Sequence, residues 1–178
     1  LMYVGLTMMH FVLMRRLQGP VDTDWIVSID NVIGDVGAAL GLGWLLFVLS
    51  ATWATDVFAY LGGRKWGRTK LIPHVSPGKT REGAIAGLIG GVVAGTLAAY
   101  VFGLPVPLAL MTLISLAVAI GTTIGDLLES LIKREIGIKD MGTFIPGHGG
   151  ILDRVDSLLL TVPLTYYIAL FLDSQGWP

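Results

Sequence analysis

The sequence predicts an all-α fold, a polytopic transmembrane helix bundle with polar cytoplasmic loops. Three observations carry that expectation. The 178 residues are 53% hydrophobic and 14% charged, with a mean hydropathy of +0.73, whereas soluble domains carry roughly 25% charged residues. The apolar residues fall in long runs without strict alternation, the pattern of spanning helices rather than strands. The polar residues are gathered between those runs, where lipid does not have to accommodate charge or irregular backbone.

The first apolar run, Leu1 to Met14, has too few residues to cross a bilayer alone, which takes about 20. It is expected to be the tail of a spanning helix that begins before Leu1. After Arg15 and Arg16 comes a polar stretch with Asp22, Asp24, Asp30 and Asp35. Within it, Trp25 to Ile33 is partly apolar and reads as an interfacial helix capped by Asp24. Four full spans are expected after this, over about 36–61, 83–102, 106–131 and 151–172. A basic loop at 62–82 and a signature loop at 130–156 interrupt them, the whole forming a single membrane catalytic domain over 1–178.

Charge sets the expected topology. The first loop holds Arg64, Lys65, Arg68, Lys70, Lys79 and Arg81; the second brings Lys133, Arg134 and Lys139, with Arg154 just past them. These are ten of the twelve Lys and Arg, and two spans separate the loops, so both face one side. Positive-inside bias makes that side the cytoplasm. Arg15 and Arg16 then fall on the far side, offset by the nearby aspartates. A net charge of −1 supplies no field that would recruit nucleic acid, and the absence of Cys removes thiolate metal sites, disulfides and thiol nucleophiles.

Glycines at 83, 87, 91 and 95 place a small residue at every fourth position of the third segment, so that another backbone can approach closely. Such a stripe serves either a homodimer interface or packing inside the bundle, and packing is the preferred reading. Pro163 in the last span is expected to kink it, because Pro removes a helical hydrogen bond.

The chemistry-bearing residues converge at one depth. Asp56 lies near the cytoplasmic end of its span, Asp126 and Glu129 near the same end of theirs, and Asp153 and Asp156 open the last one. Carboxylates at membrane depth need a cation, a partner or water. Pairing with Lys133, Arg134 and Arg154 as helix-register ion pairs is one solution. A hard divalent cation is the other and the preferred one, because magnesium is held by a few carboxylates together with substrate phosphates. With three His and no Cys, a zinc site is disfavoured. Ser76 to Gly83 reads as a turn entering a helix, with Thr80 as cap and Lys79 and Arg81 beside exposed amides, an arrangement suited to anions. Its Gly-Lys-Thr alone is weak, since the nucleotide-binding loop of hydrolases needs an earlier Gly and a preceding strand. Around His148, flanking glycines let backbone approach a ligand closely. His148 itself suits phosphate donation or proton transfer, or serves only to hold the loop.

Ser130, Lys133-Arg134, Lys139-Asp140, Gly142, Ile145-Pro146, His148-Gly149-Gly150 and Asp153-Arg154-x-Asp156 run unbroken over 27 residues. This spacing resembles the signature of the phosphatidate cytidylyltransferases, or CDP-diacylglycerol synthases, and Ser76 to Gly83 is similar to a second element of that family. The resemblance implies transfer of a cytidylyl group from CTP to phosphatidic acid, giving CDP-diacylglycerol and pyrophosphate. It implies Mg²⁺, with a second cation, held by Asp126, Asp153 and Asp156. Lys133 would act with these acids at the reaction centre. Lys79, Thr80, Arg81, Arg134, Lys139 and His148 would meet the substrates, with Asp56 orienting. The expected setting is a multi-pass protein of the bacterial inner membrane whose site faces the cytoplasm. Two other classes are weighed. A CDP-alcohol phosphotransferase would need Asp-x-x-Asp-Gly, but Ser157 follows Asp156. A cation or proton transporter would have no use for two basic, glycine-bearing loops on one face.

Overall fold

The computed structural model describes residues 2–33, 37–138 and 156–176. Six helices and one hairpin make up the described chain: α1 (Met2–Arg15), α2 (Asp24–Ile33), α3 (Ala39–Trp66), β1 (Lys70–Ile72), β2 (Ser76–Thr80), α4 (Arg81–Val101), α5 (Leu108–Glu135) and α6 (Leu158–Ser174). Helices α3, α4 and α5 are each long and apolar enough to cross a membrane. Helix α6, with 17 residues, sits at the short end of the spanning range. The expected helical membrane bundle is therefore what the chain forms.

Apolar packing joins the helices into one bundle. Met14, Trp44, Phe47, Val48, Met111, Val118 and Val162 are fully buried at its centre. Buried hydroxyls thread the same core. Those of Thr55, Thr122 and Thr165 donate to the carbonyls of Ala51, Val118 and Thr161 at 2.8–2.9 Å, and Thr52 and Thr161 meet across α3 and α6 at 3.1 Å. Each hydroxyl thus has a partner, which removes the cost of a bare polar group in an apolar interior.

The glycine stripe of α4 is spent inside the bundle. A side chain at Gly87 would lie 2.8 Å from the Thr55 carbonyl oxygen, and one at Gly83 would lie 2.7 Å from that of Ala59. Gly91 faces Thr55 and Gly95 faces Ser115. Close approach of α3 and α4 is the reason for the small residues.

Two features differ from expectation: α3 and α5 run past their expected ends, α5 to Glu135 so that Lys133 and Arg134 stand on a helix where the loop 130–156 was expected to begin, and a hairpin forms. Helix α3 continues through Gly62 and Gly63 to Trp66, although a glycine pair weakens a helix by propensity. The start of α4 explains it, because a side chain at Gly62 would run into Ala86. Arg64 and Lys65 therefore project from a helix, not a loop. The second difference is the hairpin, in which Lys70 pairs with Thr80 and Ile72 with Ser76 antiparallel. Ser76 to Thr80 is a strand where a turn was expected, since Pro77 and Gly78 argue against a strand interior and are tolerated in a two-stranded ribbon that is all edge. Thr80 ends the strand and caps α4, its hydroxyl accepting from the Gly83 amide at 3.2 Å. The Glu82 carboxylate accepts from the amides of Arg68 and Thr69 at 3.1–3.2 Å and so secures the hairpin to α4.

At the opposite end of the bundle, Arg15 pairs with Asp30 and also donates to the Ala38 carbonyl at 2.8 Å, while Asp30 accepts from the Ala38 amide at 3.1 Å. This network ties α1, α2 and the start of α3. One of the two basic residues that ran against the charge rule is thereby neutralised. Helix α2 begins at Asp24, exposes Trp25, Val32 and Ile33, and is anchored by the Trp25 indole donating to the Val101 carbonyl at 3.3 Å. Pro163 lies inside α6, and the helix runs through it.

Candidate active site

One end of the bundle gathers the ends of α3 and α5, the start of α6 and the hairpin. There a cavity of about 730 Å³ is lined by Asp56 and Tyr60 from α3, Lys79 and Thr80 from β2, Asp126 from α5, and Asp156 and Ser157 before α6. Each acid is placed by helix geometry. Asp126 and Glu129 are three residues apart on α5 and share a face. Asp156 is carried to that face by packing of α6 on α5, where Gly125 fits against the Ser157 backbone.

Asp126, Glu129 and Asp156 each offer a carboxylate oxygen, and these oxygens all lie within 4.8 Å of one another. Lys79 Nζ stands 2.6 Å from Asp126 Oδ2, and Lys133 Nζ stands 2.9 Å from Glu129 Oε1. Asp56 is linked to the group through Ser157. The Ser157 hydroxyl lies 3.4 Å from Asp56 Oδ2 and 3.2 Å from Asp156 Oδ1, and the Ser157 amide donates to Asp156 Oδ1 at 2.6 Å. Among the described residues four carboxylates thus surround two ammonium groups, an excess of negative charge that favours a divalent cation. The donors are all hard oxygens, the set that suits magnesium or calcium.

The structure brings together Asp56, Lys79, Thr80, Asp126 and Asp156, and it sets Lys133 beside Glu129. Arg81 is exposed and is not among the residues lining the cavity. Arg134 is also exposed, its Nε donating to the Val75 carbonyl at 3.3 Å, so it braces the hairpin turn. Lys139, His148 and Asp153, with Asp140 and Arg154, lie outside the described residues. Glu129 is the member of the acid cluster that the choice of metal ligands had passed over. Its three-residue spacing from Asp126 was the available signal, obscured by Lys133 one turn later, which makes an ordinary helical ion pair the simpler reading. Ser157 and Tyr60 had no signal in the sequence, since their neighbours come from distant segments.

Fold and site together define a polytopic helical membrane protein with an acid- and lysine-lined cavity at one end of the bundle. The chain belongs to the cytidylyltransferase family, whose sequence profile matches residues 3–172. It is 40% identical over 132 residues to the phosphatidate cytidylyltransferase of Bacillus subtilis, covering 74% of this chain and 49% of that protein. Against the Haemophilus influenzae phosphatidate cytidylyltransferase the identity is 42% over 142 residues, 74% of this chain and 47% of the relative. A chloroplastic relative from Arabidopsis thaliana, phosphatidate cytidylyltransferase 5, is 44% identical over 135 residues, 75% of this chain and 33% of that protein. The chain spans about half the length of the bacterial relatives it matches.

Proposed function

We propose that the protein transfers a cytidylyl group from CTP to phosphatidic acid, releasing pyrophosphate and forming CDP-diacylglycerol. The observation that carries this reading is the Asp126, Glu129 and Asp156 cluster beside Lys79 in a cavity at the end of apolar helices. Membership in the cytidylyltransferase family and the names of the relatives support it.

In this reaction a phosphate oxygen of the lipid attacks the α-phosphorus of CTP, the bond to the β-phosphate oxygen breaks, and pyrophosphate leaves with that electron pair. The attacking oxygen is already ionised near neutral pH, so no strong base is needed. The difficulty is that both reactants are anions, so catalysis rests on positioning and on neutralising charge. Asp126, Glu129 and Asp156 would hold Mg²⁺, joined by Asp153 in the family pattern, with a second cation at the same acids. The bound metal supplies positive charge at the triphosphate. Lys79 is poised to exchange its contact with Asp126 for a phosphate oxygen, and Lys133 stands ready to do the same from Glu129. Thr80 holds the start of α4 in place under Lys79. Lys139, Arg134, Arg81 and His148 supply further donors as the two basic loops meet the nucleotide. The cavity end faces the cytoplasm, where CTP is found, in the inner membrane of a bacterium. Assembly as a homodimer would use a surface other than the α4 glycines, which are occupied by α3 and α5.

The test is incorporation of radiolabelled CTP into lipid by membranes containing the protein, with phosphatidic acid and Mg²⁺ supplied. Label in a CDP-lipid, with pyrophosphate released in equal amount, is expected. No labelled lipid under these conditions would overturn the reading.

A further inference from the structure

The α3 wall of the cavity carries more than Asp56. Trp53, Val57, Tyr60 and Arg64 line it from α3, and their spacing of four, three and four residues puts them on one helical face. Trp53, Val57 and Tyr60 are 55%, 53% and 64% exposed, although they belong to an apolar helix long enough to cross a membrane. Exposed apolar positions on such a helix face lipid tails. From Trp53 to Arg64 the helix rises about 16 Å at 1.5 Å per residue, close to one leaflet of a ~30 Å hydrocarbon core. At the upper end of this wall the Arg64 guanidinium donates to the Tyr60 hydroxyl at 3.4 Å. Trp66 is exposed six residues beyond Tyr60 at the end of α3, with the Lys65 ammonium 4.8 Å over its ring, the aromatic and basic pairing found where a helix leaves hydrocarbon for headgroups. Arg64 therefore stands at headgroup depth, on the cavity, above an apolar strip one leaflet long.

We infer that Arg64, oriented by Tyr60, binds the phosphate of the diacyl lipid substrate, whose chains lie along Trp53 and Val57. The inference rests on the proposed reaction and names the lipid half of its site. Charge and shape both select this occupant. A guanidinium matches a phosphomonoester with two parallel hydrogen bonds. An apolar strip open to the tails accommodates acyl chains. Lys79 lies against Asp126, so the two basic groups divide the anions between them: Arg64 takes the lipid phosphate and Lys79 the triphosphate. Tyr60 is a positioning residue. Its hydroxyl restrains a side chain that would otherwise sweep freely at the surface.

Two measurements test this. In steady-state assays, Arg64→Ala should raise the KM for phosphatidic acid at least about tenfold while KM for CTP and kcat stay within about twofold. Arg64→Lys should recover part of that loss, and Tyr60→Phe should show a smaller rise of the same kind. In parallel, a phosphatidic acid with a photoreactive acyl chain should label α3 between Trp53 and Tyr60. Arg64→Ala should reduce that labelling, and the matching phosphatidylcholine should label no better than background. Arg64-dependent labelling without any CTP-dependent product from the wild-type protein would support the lipid site and remove the proposed reaction. Normal turnover with unchanged KM and labelling in Arg64→Ala would overturn the lipid site and leave the reaction standing. A loss spread equally over both substrates, with a lower melting temperature, would assign Arg64 a structural role and also overturn it.

Discussion

Lys79 Nζ lies 2.6 Å from Asp126 Oδ2, joining a strand of the hairpin to the last third of a spanning helix 47 positions later in the chain. The contact places a cation on the acid cluster from a separate element of the cavity lining.

Lys79→Gln and Asp126→Asn are each expected to lower kcat/KM for cytidylyl transfer about 10²-fold, the scale of removing one group that stabilises transition-state charge. Because the two side chains touch, the double variant should lose much less than the product of the single losses. Steady-state kinetics on the four proteins checks this.

Metal dependence should follow the acid cluster. Chelation with EDTA should abolish turnover and Mg²⁺ should restore it. Glu129→Gln and Asp156→Asn should each raise the Mg²⁺ concentration for half-maximal rate at least about tenfold, since cation affinity tracks the count of charged ligands. Asp153→Asn should behave likewise on the family pattern. A Glu129→Gln enzyme with an unshifted Mg²⁺ requirement would confine Glu129 to its ion pair with Lys133.

The α4 glycines give a stability prediction that leaves the chemistry aside. Gly87→Leu would force a side chain against Thr55 and Ala59, and overpacking of this kind costs about 1–3 kcal/mol or more. A lower midpoint of thermal unfolding in detergent is expected, whereas Ile89→Leu on the exposed face of the same helix should leave the midpoint in place.

At the far end of the bundle, Arg15→Ala would leave the Asp30 carboxylate, 1% exposed, without its guanidinium. Removing one partner of a buried pair costs about 3–5 kcal/mol, to be read from the same unfolding measurement. The Mg²⁺ requirement of the variant should match that of the parent, since this network lies at the other end of α3 from the acids.

Much of the architecture was legible because its causes are local. Run length marks the spans, Thr80 marks the start of α4, and small residues every fourth position mark a close helix contact. The hairpin was illegible because Pro77 and Gly78 speak against a strand, and only pairing with Lys70–Ile72 overrides them. The continuation of α3 through Gly62 and Gly63 was hidden for a related reason. Glycines that would end a helix by propensity are required there by the approach of α4. Asp126, Asp156 and Lys79 stood out as charges in or beside apolar segments, while Glu129 was masked by Lys133 one turn away.

Composition and spacing by themselves determined that this chain is a helical membrane protein and that most of its basic residues gather in two stretches beside the apolar runs. These follow from hydrophobic transfer and helical periodicity, which act over a few residues at a time. Only the tertiary structure decided which acid stands beside which lysine, that the α4 glycines face α3, and that Tyr60 and Arg64 form a wall of the same cavity as Asp126. Those relationships join residues tens of positions apart, and their geometry is set by how the helices pack.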